Sequence, residues 1–185
     1  DGTFNPSGVL VASEVDIRRP NDLRVTALVT EDESTAGANR LSVLGVEIRV
    51  DAQTRLEDKA GDDPLETFSL SDIRVGNYVE VRGAVDPGGS ADILALILER
   101  EDVPDVPGED TELRGFVDSV DGGGMLTVLG VTVSTSLSTQ FRDVNDQAIS
   151  ADAFFAAVQE GDLVDADGTE TGLASMSADE ISLED

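Results

Sequence analysis

Along residues 41–50, LSVLGVEIRV, apolar and polar side chains alternate on either side of a Leu-Gly pair. A period of two marks a strand with one buried face. Taking Leu44-Gly45 as a two-residue turn pairs Val43 with Val46 and Leu41 with Ile48. The apolar face then stays continuous through a hairpin. Gly45 supplies the positive φ of a tight turn, while Leu44 beside it favours a type II turn or a bulged loop over type I′. Residues 126–135, LTVLGVTVST, write the same pattern around Leu129-Gly130.

The flanking segments follow suit. RVTALVTED (24–32) and, more loosely, GFVDSVDGG (115–123) read as a first strand before each hairpin. After the hairpin comes a loop, and then SADAFFAAVQEG (150–161) carries helix punctuation. Ser150 is the N-cap, Asp152 lies in the first turn, alanines fill the interior and Gly161 is the stop. Phe154, Phe155 and Val158 would turn inward. In the first repeat the matching SLSDIRVG (69–76) shrinks to about one turn. NYVEVRG (77–83) and DLVDADG (162–168) read as fourth strands, 91–101 and 175–185 as fifth strands. The order predicts an all-β chain of two tandem small five-stranded OB-like barrels, each with a short helix between strands 3 and 4. A compact sandwich, or a barrel of another topology, is the alternative. Units of about 75 residues are near the size at which one core becomes marginal, so neighbouring repeats would stabilise one another.

The duplication holds register over a long span. A shift of 85 residues brings Leu41, Val43, Leu44 and Gly45 onto Leu126, Val128, Leu129 and Gly130. The same shift matches Thr54 with Thr139, Gly76 with Gly161, Val79 with Val164, Gly83 with Gly168, and Leu98-Glu99 with Leu183-Glu184. A second shift, of 166 residues, sets DGT at 1–3 on DGT at 167–169, and ASEVDI at 12–17 on ADEISL at 178–183. Residues 1–20 therefore read as a remnant of a preceding repeat, its closing strands, which need a pairing partner and make self-association through edge strands an expectation. The first full repeat is 21–101 and the second 112–185. Between them, residues 102–111 are a Pro- and acid-rich linker whose prolines favour an extended, semi-rigid path.

Charge narrows the field of partners. The chain has 39 acids against 12 bases, a net charge of −27. That charge opposes phosphate backbones and anionic lipid surfaces, so nucleic acid is not an expected partner. No apolar run reaches the roughly 20 residues of a membrane helix, so direct membrane insertion of this stretch is not expected. Histidine and cysteine are absent. Their absence removes imidazole bases, thiolate nucleophiles and Cys/His zinc sites.

With the strands placed, FSLSDIRVGNYVEVRGAV, preceded by LGVEIRVDAQTRLED, resembles the bacterial family known as domain of unknown function 5666. The shared features are a short hairpin around a glycine, a D/N-x-x-T-x-F/L segment and an L-x-V-G-D-x-V-E-V-x-G strand. Both repeats fit, roughly over 23–101 and 112–185. The second departs from the pattern at Ala166 and Asp167, which implies a weaker fourth strand. The resemblance implies a tandem bacterial protein, exported or lipid-anchored, and it brings no catalytic residues.

Candidate chemistry is sparse. Serine and threonine have no base to activate them except through Lys59, the one lysine. RDVNDQAIS (142–150) begins like a calcium loop with Asp143, Asn145 and Asp146, but lacks the turn glycine and the closing glutamate. EDKAGDD clusters Glu57, Asp58, Asp62 and Asp63 without ordered spacing, and Asp165 and Asp167 alternate along a wet strand face. Glycine-rich VDGGGM (120–125) and DPGGSAD (86–92) read as hairpin turns, since neither ends in Gly-Lys-Ser/Thr. Of the aromatics, Tyr78 reads as exposed, and Phe68, Phe116, Phe141, Phe154 and Phe155 as core. Arg49, Arg55, Arg74 and Arg82 outnumber Arg114 and Arg142 of the second repeat, with solvated salt bridges as the plainer explanation of any patch. The expectation is a non-catalytic extracytoplasmic module, periplasmic, outer-membrane lipoprotein or secreted, with a binding or spacer role and no cofactor. A calcium-dependent or oligosaccharide-binding module is the alternative, and a carboxylate-dependent hydrolase comes third.

Overall fold

Period-two patterning becomes strands almost throughout. The computed structural model describes residues 22–32, 39–106 and 108–185, with the backbone of 2–4 and 10–12. The elements are β1 (Gly2–Phe4), β2 (Leu10–Ala12), β3 (Leu23–Asp32), β4 (Arg40–Val43), β5 (Val46–Arg49), β6 (Arg55–Asp58), β7 (Tyr78–Val85), β8 (Ile93–Glu101), β9 (Thr111–Asp121), β10 (Met125–Val128), β11 (Val131–Ser134), β12 (Gln140–Arg142), β13 (Ala148–Ile149), α1 (Ala151–Ala157), β14 (Leu163–Gly172) and β15 (Ser175–Glu184). Among the described residues the fold is all-β with one short α-helix.

The predicted hairpin is β4–β5, with Val43 opposite Val46 and Leu41 opposite Ile48. Its turn differs from expectation. Leu44 and Gly45 have φ of 52° and 78°, Leu129 and Gly130 of 49° and 76°, so both turns carry the two successive positive φ values of type I′. A leucine there costs roughly 1–2 kcal/mol. Burial offsets the cost: Leu44 is fully buried, and the Leu129 side chain lies across Gly115, where a Cβ would collide with it.

Within the first repeat β3 pairs β4, β4 pairs β5, β5 runs parallel to β8, β8 pairs β7, and β7 returns to β3. The second repeat makes the same circuit through β9, β10, β11, β15 and β14. The segments between hairpin and helix, read as loops, each add a short strand. These are β6 and β12, parallel to β8 and β15. Thr54 and Thr139 play one role there, donating to the carbonyls of Ala95 and Ala178 at 2.7 Å. Ser150 caps α1 by accepting from the Ala153 N–H, and the helix ends at Ala157, ahead of Gly161. In the first repeat a single 3₁₀ turn, Leu70–Asp72, replaces it.

The two tandem repeats are continuous with each other at a seam. Both repeats lie in one thirteen-stranded sheet, joined where β3 pairs with β9. The reason is a change of partner along β3, at the register shift between Val29 and Glu31. β3 gives residues 29–32 to β4 and residues 23–28 to β7, so one edge of residues 24–26 is left without a partner inside the repeat. β9 leaves the equivalent edge open. Backbone groups away from water must be paired, and the two edges pair with each other. The hydrophobic cluster likewise runs through both repeats without a break.

Register corrects two alignments. Val81 faces Leu98 and Ala166 faces Ile181, so the counterpart of Leu98 is Ile181 and not Leu183. The β14–β15 turn is two residues, Leu173-Ala174, against the longer 86–92 loop of the first repeat, and the last strand therefore slides. A slip of two keeps every side chain on its own face, so the sequence match survives it. The first strands align 24–32 with 112–120, not 115–123. Leu28 faces Tyr78, and Phe116 faces Leu163. The departure at Ala166 and Asp167 does not shorten the fourth strand, since β14 spans ten residues against eight in β7.

β1 and β2 form a separate hairpin in which Gly2 is opposite Ala12. The same Gly–Ala opposition recurs as Gly83 with Ala95 and Gly168 with Ala178. The rest of the reading of 1–20, and its side chains, lie outside the described residues.

Candidate functional site

Strand pairing at the seam is arranged about a local twofold. Arg24 faces Arg114, Val25 faces Leu113, and Thr26 faces Glu112. Counted from their shared partners on the fourth strand, Val25 and Leu113 are equivalent residues, so equivalents meet at the centre. Side chains of the alternate face turn away from the apolar core and form two ranks across eight strands, with Thr26 and Glu99 buried among them. One rank is acidic: Glu57, Glu99, Glu80, then Thr26 at the seam, then Glu112, Asp167, Glu180 and Gln140. Two residues along each strand runs the other: Arg55, Ile97, Arg82, Arg24, Arg114, Asp165, Ser182 and Arg142.

The ranks neutralise each other in pairs. Arg55 reaches Glu57 and Glu99, Arg82 reaches Glu80, and Arg142 reaches Glu180 at 2.9 Å. At the centre, Asp165 sits between Arg24 at 3.1 Å and Arg114 at 3.3 Å, one from each repeat. Arg24 also lies 3.2 Å from Glu112 Oε2, to which Thr26 Oγ1 donates. Asp165 is therefore an ion-pair partner at the seam, not a residue of a wet face. Asp167 is the exposed neighbour without an arginine of its own. Its carboxyl is half-shielded beneath that exposed edge, and this partial loss of solvation, followed by the charges of Asp165 and Glu112, pushes its pKa up to about 6.

Arginines that the sequence leaves open as a patch are engaged. Arg49 donates twice to the buried Asp86, which also accepts from the backbone of Gly88 and Ser90. These bonds, Arg49 first, hold the Asp86 carboxyl far below the usual aspartate range. The Arg74 guanidinium caps the carbonyls of Ser71 and Ile73. Lys59 pairs with Glu99 at 2.8 Å.

The acidic loops are internally occupied too. Asp58 forms a two-pronged pair with Arg100 at 2.8 and 2.7 Å, which, with N–H donors from Leu65 and Ala60, brings it down to about 2. Asp62 and Asp63 are exposed. Asp143 accepts the N–H groups of Asn145 and Gln147, and Asp146 pairs with Arg142. Among the described residues, no group of three or more carboxylates is placed to hold a metal ion.

Two aromatics are corrected. Tyr78 is buried, and its hydroxyl donates to the Asp110 carbonyl at the threshold of the second repeat. Burial, followed by Asp110 and Glu112, raises it to about 12. Phe116 is not core; it is 37% exposed. It borders a groove of about 630 Å³ with Leu23, Ala84, Val85, Pro87 and Leu94. At the twofold-related place, Leu23, Ala84 and Leu94 are replaced by Thr111, Thr169 and Ser177, so that recess is polar. Among the described residues no helix is long and apolar enough to cross a membrane.

The family described as Domain of unknown function (DUF5666) matches the chain twice, over residues 25–96 and 114–182. No curated relative and no solved structure matches it.

Proposed function

The chain belongs to the DUF5666 family, with two copies of its domain, and from that premise we propose a non-catalytic extracytoplasmic module. In this reading each repeat is a five-stranded OB-like barrel, and the two are joined into one stiff spacer and interaction unit. Closure of each strand circuit, with a parallel pairing between third and fifth strands, supports the barrel reading. The seam between β3 and β9 carries the functional reading, because a flexible tether would not share backbone pairing, a tyrosine clasp and an ion-pair centre. The linker is tied as well: its Gly108 carbonyl accepts from the Glu170 N–H at 2.8 Å. One cooperative unfolding transition, coincident by calorimetry and by probes in either repeat, is the expected result. Two separated transitions would remove the stiff-unit reading. Fractionation of the native protein tests the extracytoplasmic placement; recovery in the cytosol would refute it.

The groove beside Phe116 favours a second reading, a binding module for an oligosaccharide or another ligand with an apolar face. Its volume falls in the range of small-ligand sites, and its lining combines an apolar floor with the charged side chains of Asp22, Arg49 and Asp51. Chemical-shift changes confined to Val85, Leu94 and Phe116 on adding oligosaccharides would support it; uniform silence across a broad panel would count against it.

A further inference from the structure

Like charges set directly opposite one another on adjacent strands weaken a sheet. Asp167 on β14 has Glu112 opposite on β9 and Glu180 opposite on β15. The groups facing it are Glu112 and Arg114 from β9, Asp165 on its own strand, and Asp179 and Glu180 from β15. Glu109 and Asp110 face it from the linker, and Arg24 from β3. Both arginines already reach for Asp165. Glu112, the member of the row next to the seam, is also the acceptor for Thr26 across it. Its contact with Arg24 is close at 3.2 Å, yet Arg24 Nε makes no hydrogen bond.

We propose that the Glu112–Asp167–Glu180 row is a proton-operated brace between the repeats: a proton taken up at Asp167 relieves the row, and Glu112 closes on Arg24 and Thr26. The proton comes from solvent and is bound at the Asp167 carboxylate. An aspartate whose proton is held more tightly in the folded chain adds stability as pH falls through its folded midpoint, here about 6, and adds none above it. The brace is therefore tight in mildly acidic surroundings and slack at neutral pH. It rests on the coupled pair of repeats proposed above.

The test follows the side-chain carboxyl of Asp167 by NMR in the full chain, alongside melting curves between pH 8 and pH 4.5. Asp167 should titrate near 6, and E112Q should move its midpoint down toward an ordinary aspartate. Protection factors of the Val25 and Leu113 amides should rise several-fold on acidification in the wild type. In D167N they should already be high and nearly flat. D152N, on the exposed start of α1, serves as the control for lower net charge. An Asp167 midpoint near 4, or one unmoved by E112Q, overturns the brace. So does a D167N profile parallel to the wild type. Any of these in a chain that melts as one unit leaves the stiff-unit reading intact.

Discussion

Val25 and Leu113 occupy equivalent positions in the two repeats, and they are each other's partners across the seam. Both are fully buried. An edge that pairs with its own equivalent forms an isologous contact, which closes after two members and does not propagate. Two repeats therefore make a complete unit at this edge.

Tyr78 holds the seam at one end by donating to the Asp110 carbonyl. Tyr78→Phe should cost about 1 kcal/mol, the net value of one hydrogen bond, and lower the melting temperature by roughly 2–4 °C. Chemical denaturation with an unchanged m-value would show that only stability moved. No change in midpoint would mean that the clasp carries no weight.

Asp58 and Arg100 predict acid sensitivity in the first repeat. The folded carboxyl titrates at about 2, below its unfolded value, so its stabilisation is complete above about pH 4 and fades as pH falls toward 2. Asp58→Ala leaves Arg100, stacked 5.0 Å from Phe68, without its partner. A loss of about 2–3 kcal/mol is expected at pH 7 and very little at pH 2. Equal losses at both pH values would refute the ion-pair account.

The two turn leucines should answer differently to the same change. Asparagine tolerates positive φ, so the substitution relieves strain at either site. Leu44→Asn also gives up a fully buried side chain, worth about 2 kcal/mol, and should destabilise on balance. Leu129 is only partly buried, and Leu129→Asn should be close to neutral. Equal effects in paired denaturation curves would contradict this.

Gly83 and Gly168 sit where the closing strands cross most closely. A Cβ on Gly168 would collide with the Ser177 carbonyl oxygen, and one on Gly83 with that of Leu94. These are backbone atoms and cannot rotate away. Either change to alanine should cost more than about 1 kcal/mol, beyond a simple propensity effect, whereas Gly122→Ala meets no atom within 4 Å. Melting temperatures of the three variants would rank them; a harmless Gly168→Ala would be the contrary result.

Much was readable from local pattern. The alternation around Leu44-Gly45 determined the hairpin and its register, and Ser150 marked the helix start, because both depend on neighbours a few residues away. Duplication was legible because equivalent cores demand equivalent side chains. Parity hid one error: Leu98 could be aligned with Leu183 in place of Ile181, since a two-residue slide leaves the inward face unchanged. Only the tertiary structure decided that Tyr78 is covered and Phe116 bare, that Asp165 lies between two arginines, and that the repeats share a sheet. Those facts depend on which strand edge meets which. The change of partner along β3 and β9 sets that meeting, and alternation along a single strand carries no record of its lateral partner.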